Sequence, residues 1–226
     1  SYGDHILHET YRLRIQKVDS NGNFLWGPTG IRVSVADTGQ SVQRIVSDGN
    51  GGCVIVWMES NFGFAEYRIN RIDRNGQRVW SDIGLYIQSD YNYSPPNLIS
   101  ASDGNYYLQI RESLYRLYQN GEIARGDSVT LSGSIIPDPE GGVVLSGRVG
   151  NISNRMLVAQ RQDSLGNNLW QDPYVEIADS LDITNTHLEI KYNNGLIFYS
   201  WSGKKNGIDK VTQFQALSLD ATILFS

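Results

Sequence analysis

The residues of this chain that could do chemistry are few and scattered. The run His5-Ile-Leu-His8-Glu9 places two imidazoles three apart, and His187 stands far from both. That spacing fits no zincin motif, and on an alternating strand the two rings face opposite sides, so no metal site is expected there. A Ser-His-Asp triad would be assembled by the fold rather than by spacing, but no Gly-x-Ser-x-Gly turn singles out a nucleophile. The turns Asp19-x-Asn21-x-Asn23 and Asp48-x-Asn50 offer oxygen ligands for calcium. They lack the full ligand run and closing glutamate of an EF-hand loop, and such side chains commonly bond their own backbone. Asp138 and Glu140 are carboxylates of one turn, and no glycosidase pair stands out. No catalytic residue, metal ligand or cofactor is therefore expected. The ligand-contacting candidates are Tyr91 and Tyr93, in the loop Tyr91-Asn-Tyr93-Ser-Pro95-Pro96. Exposed, these rings would stack on a sugar or anchor a partner; buried, they would pack.

The elements that must hold these residues are announced by repetition. Asp19-Ser-Asn-Gly22-Asn-Phe-Leu-Trp26 recurs as Asp73-Arg-Asn-Gly76-Gln-Arg-Val-Trp80 and as Asp163-Ser-Leu-Gly166-Asn-Asn-Leu-Trp170. A worn copy, Tyr118-Gln-Asn-Gly121-Glu-Ile-Ala-Arg125, lies between them, and Ser218-Leu-Asp-Ala221-Thr-Ile-Leu-Phe225 stands at the C-terminus. The glycine positions are spaced 54, 45, 45 and 55 residues apart. A second motif keeps pace: Ser47-Asp48-Gly49-Asn50-Gly51-Gly52 leads into a strand ending at Trp57. Its copies start near Asp103, Asp138 and Asn193, the last running to Trp201. All five tryptophans fall in one motif or the other, which points to packing.

Both motifs are hairpin grammar, since Asn-Gly and Asp-Gly supply the positive φ of tight turns. Alternating segments such as Leu13-Arg14-Ile15-Gln16 and Tyr67-Arg68-Ile69-Asn70 read as half-buried strands. Each unit is a strand, a turn, a Trp-bearing segment with a further short strand, and a second turn into an apolar strand. Four strands in about 45–55 residues is the scale of one propeller blade. The expected fold is all-β: a β-propeller of four-stranded antiparallel blades in one domain, with repeats at about 11–63, 64–111, 112–154 and 155–209 and a partial fifth at 210–226. Aligned on the turn glycine, Gln16, Asn70, Gln160 and Gln215 form an amide column, followed directly by Lys17, Arg71, Arg116 and Arg161, with Ala216 last. The amides are expected to bond backbone between blades and the basic stems to cover rings of the adjacent blade.

Composition narrows the classes. Charged residues are 19%, aromatics 11%, and 23 of 226 residues are glycine, which excludes a disordered chain or a coiled coil. A net charge of −5 argues against a nucleic-acid scaffold, and no apolar run approaches the roughly 18 residues of a membrane span. Cys53, alone within Cys-Val-Ile-Val-Trp, reads as a small buried hydrophobe. The chain opens without methionine or a signal-like segment and closes inside a motif copy, which suggests a mature product or part of a longer chain.

The repeat, built on Asp19, Gly22, Trp26, Asp48, Gly49, Gly51, Gly52 and Trp57 with copies from Asp73, Asp103 and Asp163, resembles tandem β-propeller repeats of large secreted or surface proteins of Bacteroidota-like bacteria. It is distantly similar to quinoprotein-type propellers. The resemblance implies a secreted or cell-surface bacterial protein acting as a non-enzymatic scaffold, its partner another protein or further domains of a longer chain. A carbohydrate-binding, lectin-like propeller is the alternative, with a surface glycan as partner, and a glycosidase-type enzyme follows behind it. Propellers host many unrelated activities.

Overall fold

The computed structural model describes residues 11–61, 64–90, 94–125, 131, 133–150, 156–170, 173–178, 188–205 and 208–225. Among them are seventeen strands and no helix. The chain divides into two compact units, residues 1–98 and 99–226. The first contains the two-stranded sheet β1 (Arg14–Ile15) and β2 (Ile31–Arg32), and the meander β3 (Gly39–Ser47), β4 (Cys53–Asn61), β5 (Phe64–Ile72) and β6 (Leu85–Asp90). The second is formed by two four-stranded meanders and a three-stranded sheet. These are β7 (Asn97–Ser100), β8 (Tyr106–Ile110), β9 (Ser113–Leu117) and β10 (Ile123–Arg125); β11 (Gly133–Pro137), β12 (Val143–Val149), β13 (Met156–Gln162) and β14 (Val175–Ala178); and β15 (Leu188–Asn193), β16 (Leu196–Lys205) and β17 (Ile208–Ser218). The all-β expectation holds, and sheets of this make are consistent with a propeller-like fold. Each meander takes two strands from the end of one sequence repeat and two from the start of the next, so sheets and repeats are offset by half a period.

Turn chemistry explains the strand ends. The Asp19 carboxylate accepts the backbone N–H groups of Asn21 and Asn23, both at 2.8 Å, while Gly22 sits at φ +83°. Asp73 and Asp163 repeat the arrangement with Asn75 and Gln77, and with Leu165 and Asn167. These oxygens serve their own turns, which is the Asx reading of the motif.

Packing explains why apolar runs replace strict alternation in the second strand of each sheet. In the second unit, Val143, Leu145 and Val158 pack with Tyr107 and Leu114 of the preceding sheet. Val144 and Ala159, on the opposite face, pack with Ile197, Tyr199, Trp201 and Leu217 of the following one. A strand buried on both faces must be apolar at every position. In the first unit, Leu13, Ile15 and Ile31 close in the same way on Cys53, Ile55, Trp57 and Ile72. Trp26 donates its indole N–H to the carbonyl of Arg74 at 3.2 Å, and Trp170 to that of Leu219 at 3.1 Å. Both acceptors are the second residue of the next repeat's turn, so these two indoles make equivalent joints.

Candidate functional site

Two columns singled out in the sequence are structural, and their partners differ from those expected. Arg71 donates from Nε and Nη2 to Asp48, both at 3.1 Å; Arg116 reaches Asp103 at 2.8 Å; Arg161 grips Asp138 and also Glu140. The three arginines therefore pin the second-motif turn of their own sheet instead of covering rings of the adjacent one, Arg161 also donating to the Leu219 carbonyl of the following sheet, while Lys17 donates to the Gly51 carbonyl of the β3–β4 turn. Arg116 also lies over a ring, that of Tyr118, at 4.9 Å. Three of the four amides are likewise local, the Gln160 oxygen having no partner among the described residues. Gln16 donates to the Gly27 carbonyl and accepts the N–H of Lys17 and Trp26; Asn70 does the same for Ser81, Arg71 and Trp80; Gln215 for Phe225 and Ala216. They hold the aromatic segment of their own repeat because a side-chain amide can present donor and acceptor to two backbone groups at once.

Burial would raise the Asp48 carboxyl, but the N–H groups of Asn50 and Gly52 and the Arg71 guanidinium outweigh it and hold it below its ordinary value. The Asp138 bonds raise the Arg161 guanidinium against the opposing effect of burial. In the last sheet Asn193 and Ala216 occupy the positions of this pair. Both charges are lost together there, which avoids stranding one of them. A second buried network lies in the first unit. Glu59 accepts from Trp57 Nε1 at 3.1 Å and Gln40 Nε2 at 3.2 Å and pairs with Arg68 at 2.9 Å. It has no opening beside it among the cavities described, and its role is to satisfy a buried carboxylate. Cys53 is buried, and that burial pushes its thiol up to about 11, so it is a packing residue.

The last sheet, β15–β17, carries an exposed aromatic surface. Cross-strand register puts Glu189 and Lys191 of β15, Phe198 and Ser200 of β16, and Phe214 of β17 on one face. Phe225, which occupies the tryptophan position of the first motif, is fixed beside them by the Gln215 amide. Together they line a shallow cavity of about 480 Å³. Phe214 is 70% exposed, Phe225 55% and Phe198 39%. The equivalent face of β11–β14 carries Val144 and Ala159, and that of β3–β6 carries Val54 and Ile69, all buried. Lys191 replaces Ile136 and Val46 at the same register position. The face has exchanged small aliphatic packing for aromatic rings edged with charge.

Most motif residues named from the sequence are joints: Asp19, Gly22, Trp26, Asp48, Gly49, Trp57, Asp73, Gly76, Asp163, Gly166 and Trp170 sit in turns or between sheets. Trp80 follows its amide in the same way, and Trp201 packs in the core of the second unit. Tyr91, Tyr93 and all three histidines lie outside the described residues. Phe198, Phe214 and Phe225 were missed, although aligning them with the aliphatic residues of other repeats would have exposed the change.

No protein-family model matches the chain, and no curated protein does. Among solved structures it is similar to a GH43 β-xylosidase/α-arabinofuranosidase from a compost microbial metagenome, in complex with xylotriose, at a TM-score of 0.42 and 12% identity over 80% of this chain and 71% of that one. It is similar also to a protein of unknown function from Bacteroides caccae, at a TM-score of 0.40 and 13% identity over 93% and 73%. The non-enzymatic scaffold reading is set aside here: the first of these is a glycosidase, which fits the glycosidase-type alternative better than a scaffold.

Proposed function

We propose that the chain is a carbohydrate-binding module whose sheets are blades of a propeller, and that its sugar site is the exposed face of β15–β17. The observation that carries this reading is the exchange of Val144- and Ala159-type packing for the exposed rings of Phe198 and Phe214, with Phe225 alongside. Flat aromatic surface suits the C–H face of a pyranose, and a few polar groups at the margin fix its orientation. Glu189, Lys191 and Ser200 supply an acceptor, a donor and a hydroxyl on the same face. Hydrolysis would ask for a second carboxylate at a spacing of about 5–9.5 Å. Glu189 is the one carboxylate among the described residues lining this cavity, so the chemistry supported is recognition. A sugar ligand agrees with the secreted or surface location expected from the repeat.

The test is a panel of neutral and acidic oligosaccharides titrated calorimetrically against the chain and against Phe214→Ala. Saturable binding that weakens about tenfold or more in the variant supports the proposal, the loss corresponding to about 1.4 kcal/mol. Absence of binding across the panel, or equal affinity in the variant, overturns it. Release of reducing ends during the titration would replace recognition with catalysis.

A further inference from the structure

We infer that Asn50 is a site of covalent modification: its side chain closes on the backbone nitrogen of Gly51, and the β3–β4 turn gains a carboxylate without help from an enzyme. The chain contains six Asn-Gly pairs, beginning at Asn21, Asn50, Asn75, Asn120, Asn194 and Asn206, of which the last lies outside the described residues. A glycine after the asparagine has no Cβ to obstruct attack by its nitrogen on the side-chain amide. In four of the five described pairs that nitrogen is occupied. The Gly22 N–H donates to the Asp19 carbonyl at 3.1 Å, Gly76 to Asp73 at 3.0 Å, Gly121 to Tyr118 at 2.9 Å, and Gly195 to the Tyr192 hydroxyl at 3.0 Å. Gly51 differs, for its N–H has no acceptor among the described residues. The equivalent Gly141 donates to the Asp138 carbonyl at 3.2 Å, whereas the Asp48 carbonyl takes the side-chain amide of Asn50 instead, at 3.3 Å.

A cation stands where the reaction needs one. Lys17 Nζ donates to the Gly51 carbonyl at 2.6 Å and would lie 3.3 Å from a Cβ on that glycine. Ring closure asks the Gly51 nitrogen to give up its proton, and negative charge develops on that nitrogen and then on the side-chain oxygen of Asn50. A positive charge close by favours both, and the two reacting groups are already neighbours in the chain. The Gly51 nitrogen bonds to Cγ of Asn50, the Cγ–Nδ2 bond breaks, and the displaced nitrogen leaves as ammonia with the proton that Gly51 has lost. Asn50 and Gly51 are exposed, so water reaches the five-membered imide and opens it at either carbonyl, leaving aspartate or isoaspartate at position 50. The N–H groups of Asn50 and Gly52 converge on Asp48 Oδ1 at 2.8 and 2.7 Å. Isoaspartate lengthens the main chain between them, so the change acts on the turn that Arg71 pins.

The experiment holds the folded chain in mildly alkaline, low-salt buffer and follows the mass gain at each Asn-Gly pair by peptide mapping, with enzymatic methylation to count isoaspartate. Asn50 is expected to convert about tenfold faster than Asn21, Asn75, Asn120 or Asn194. In the urea-unfolded chain, where no turn survives, the five rates should come together. Lys17→Met should slow Asn50 about fivefold in low salt, and high salt should bring the native chain toward the same slower rate. A folded chain in which Asn50 stays intact, or converts no faster than the other four, overturns the inference. So does a folded Lys17→Met chain that converts at the native rate. If Lys17→Met does not fold, the salt dependence of the native chain decides the part played by the cation, and a rate indifferent to salt overturns it.

Discussion

Replacing Arg161 by alanine would remove one half of the most enclosed ion pair among the described residues. The Asp138 side chain is 0% exposed and that of Arg161 7% exposed, with the guanidinium binding Asp138 through two nitrogens and donating through a third to the Leu219 carbonyl of the following sheet at 3.0 Å. Without it, Asp138 keeps the N–H of Glu140 at 2.9 Å but carries an uncompensated buried charge. Loss of one member of a buried pair costs about 3–5 kcal/mol, whereas removal of both costs far less. The chain contains its own version of the double change, because Asn193 and Ala216 stand at the same two positions in the last sheet. Asp138→Asn combined with Arg161→Ala is therefore expected to lose only about 1–2 kcal/mol, most of it from the bond to Leu219. Urea unfolding followed by tryptophan fluorescence gives the four corners of the cycle, and a coupling of about 2 kcal/mol or more is expected. Additive losses, with the double variant as unstable as the two single ones summed, would refute the pairing logic.

The remaining predictions concern packing and pH. Gly84 has φ +82°, and a Cβ there would overlap the Trp57 ring, so Gly84→Ala should cost about 3 kcal/mol or more, read as a fall in urea midpoint. Trp57→Phe should cost about 2–3 kcal/mol by the same measurement, because it empties part of the core and removes one of the hydrogen bonds to the buried Glu59 carboxylate. Asp48 has a folded-state carboxyl below its ordinary 3.8. Its contribution to stability is thus complete above the unfolded value and is lost as pH falls through the lower folded one. A stability profile from pH 6 to pH 2 should fall through that window, and Asp48→Asn should flatten the fall; an unchanged slope would remove Asp48 from the account.

How much of this was legible in the chain depends on how local each cause is. The turns at Asp19, Asp73 and Asp163 close within five residues, so Asp, Gly and the following indole announce them directly. The Asp48–Arg71 and Asp138–Arg161 pairs join the two motifs across 23 residues in each case. Reading each motif as its own column hid them, although the joint loss at Asn193 and Ala216 was a visible signal. The binding face was concealed by the same rule that revealed the strands. Leu196-Ile-Phe-Tyr-Ser-Trp201 reads as one apolar run, and only pairing separates buried Ile197, Tyr199 and Trp201 from exposed Phe198. Sheet β15–β17 keeps the outline of its neighbours while changing what one face is made of.

A crystal structure of the chain with an oligosaccharide from the panel tests the central claim most directly. The account predicts a sugar ring lying over Phe198 and Phe214, with Glu189 or Lys191 in hydrogen-bonding reach. Density for the sugar at any other place, with those two rings bare, would contradict it.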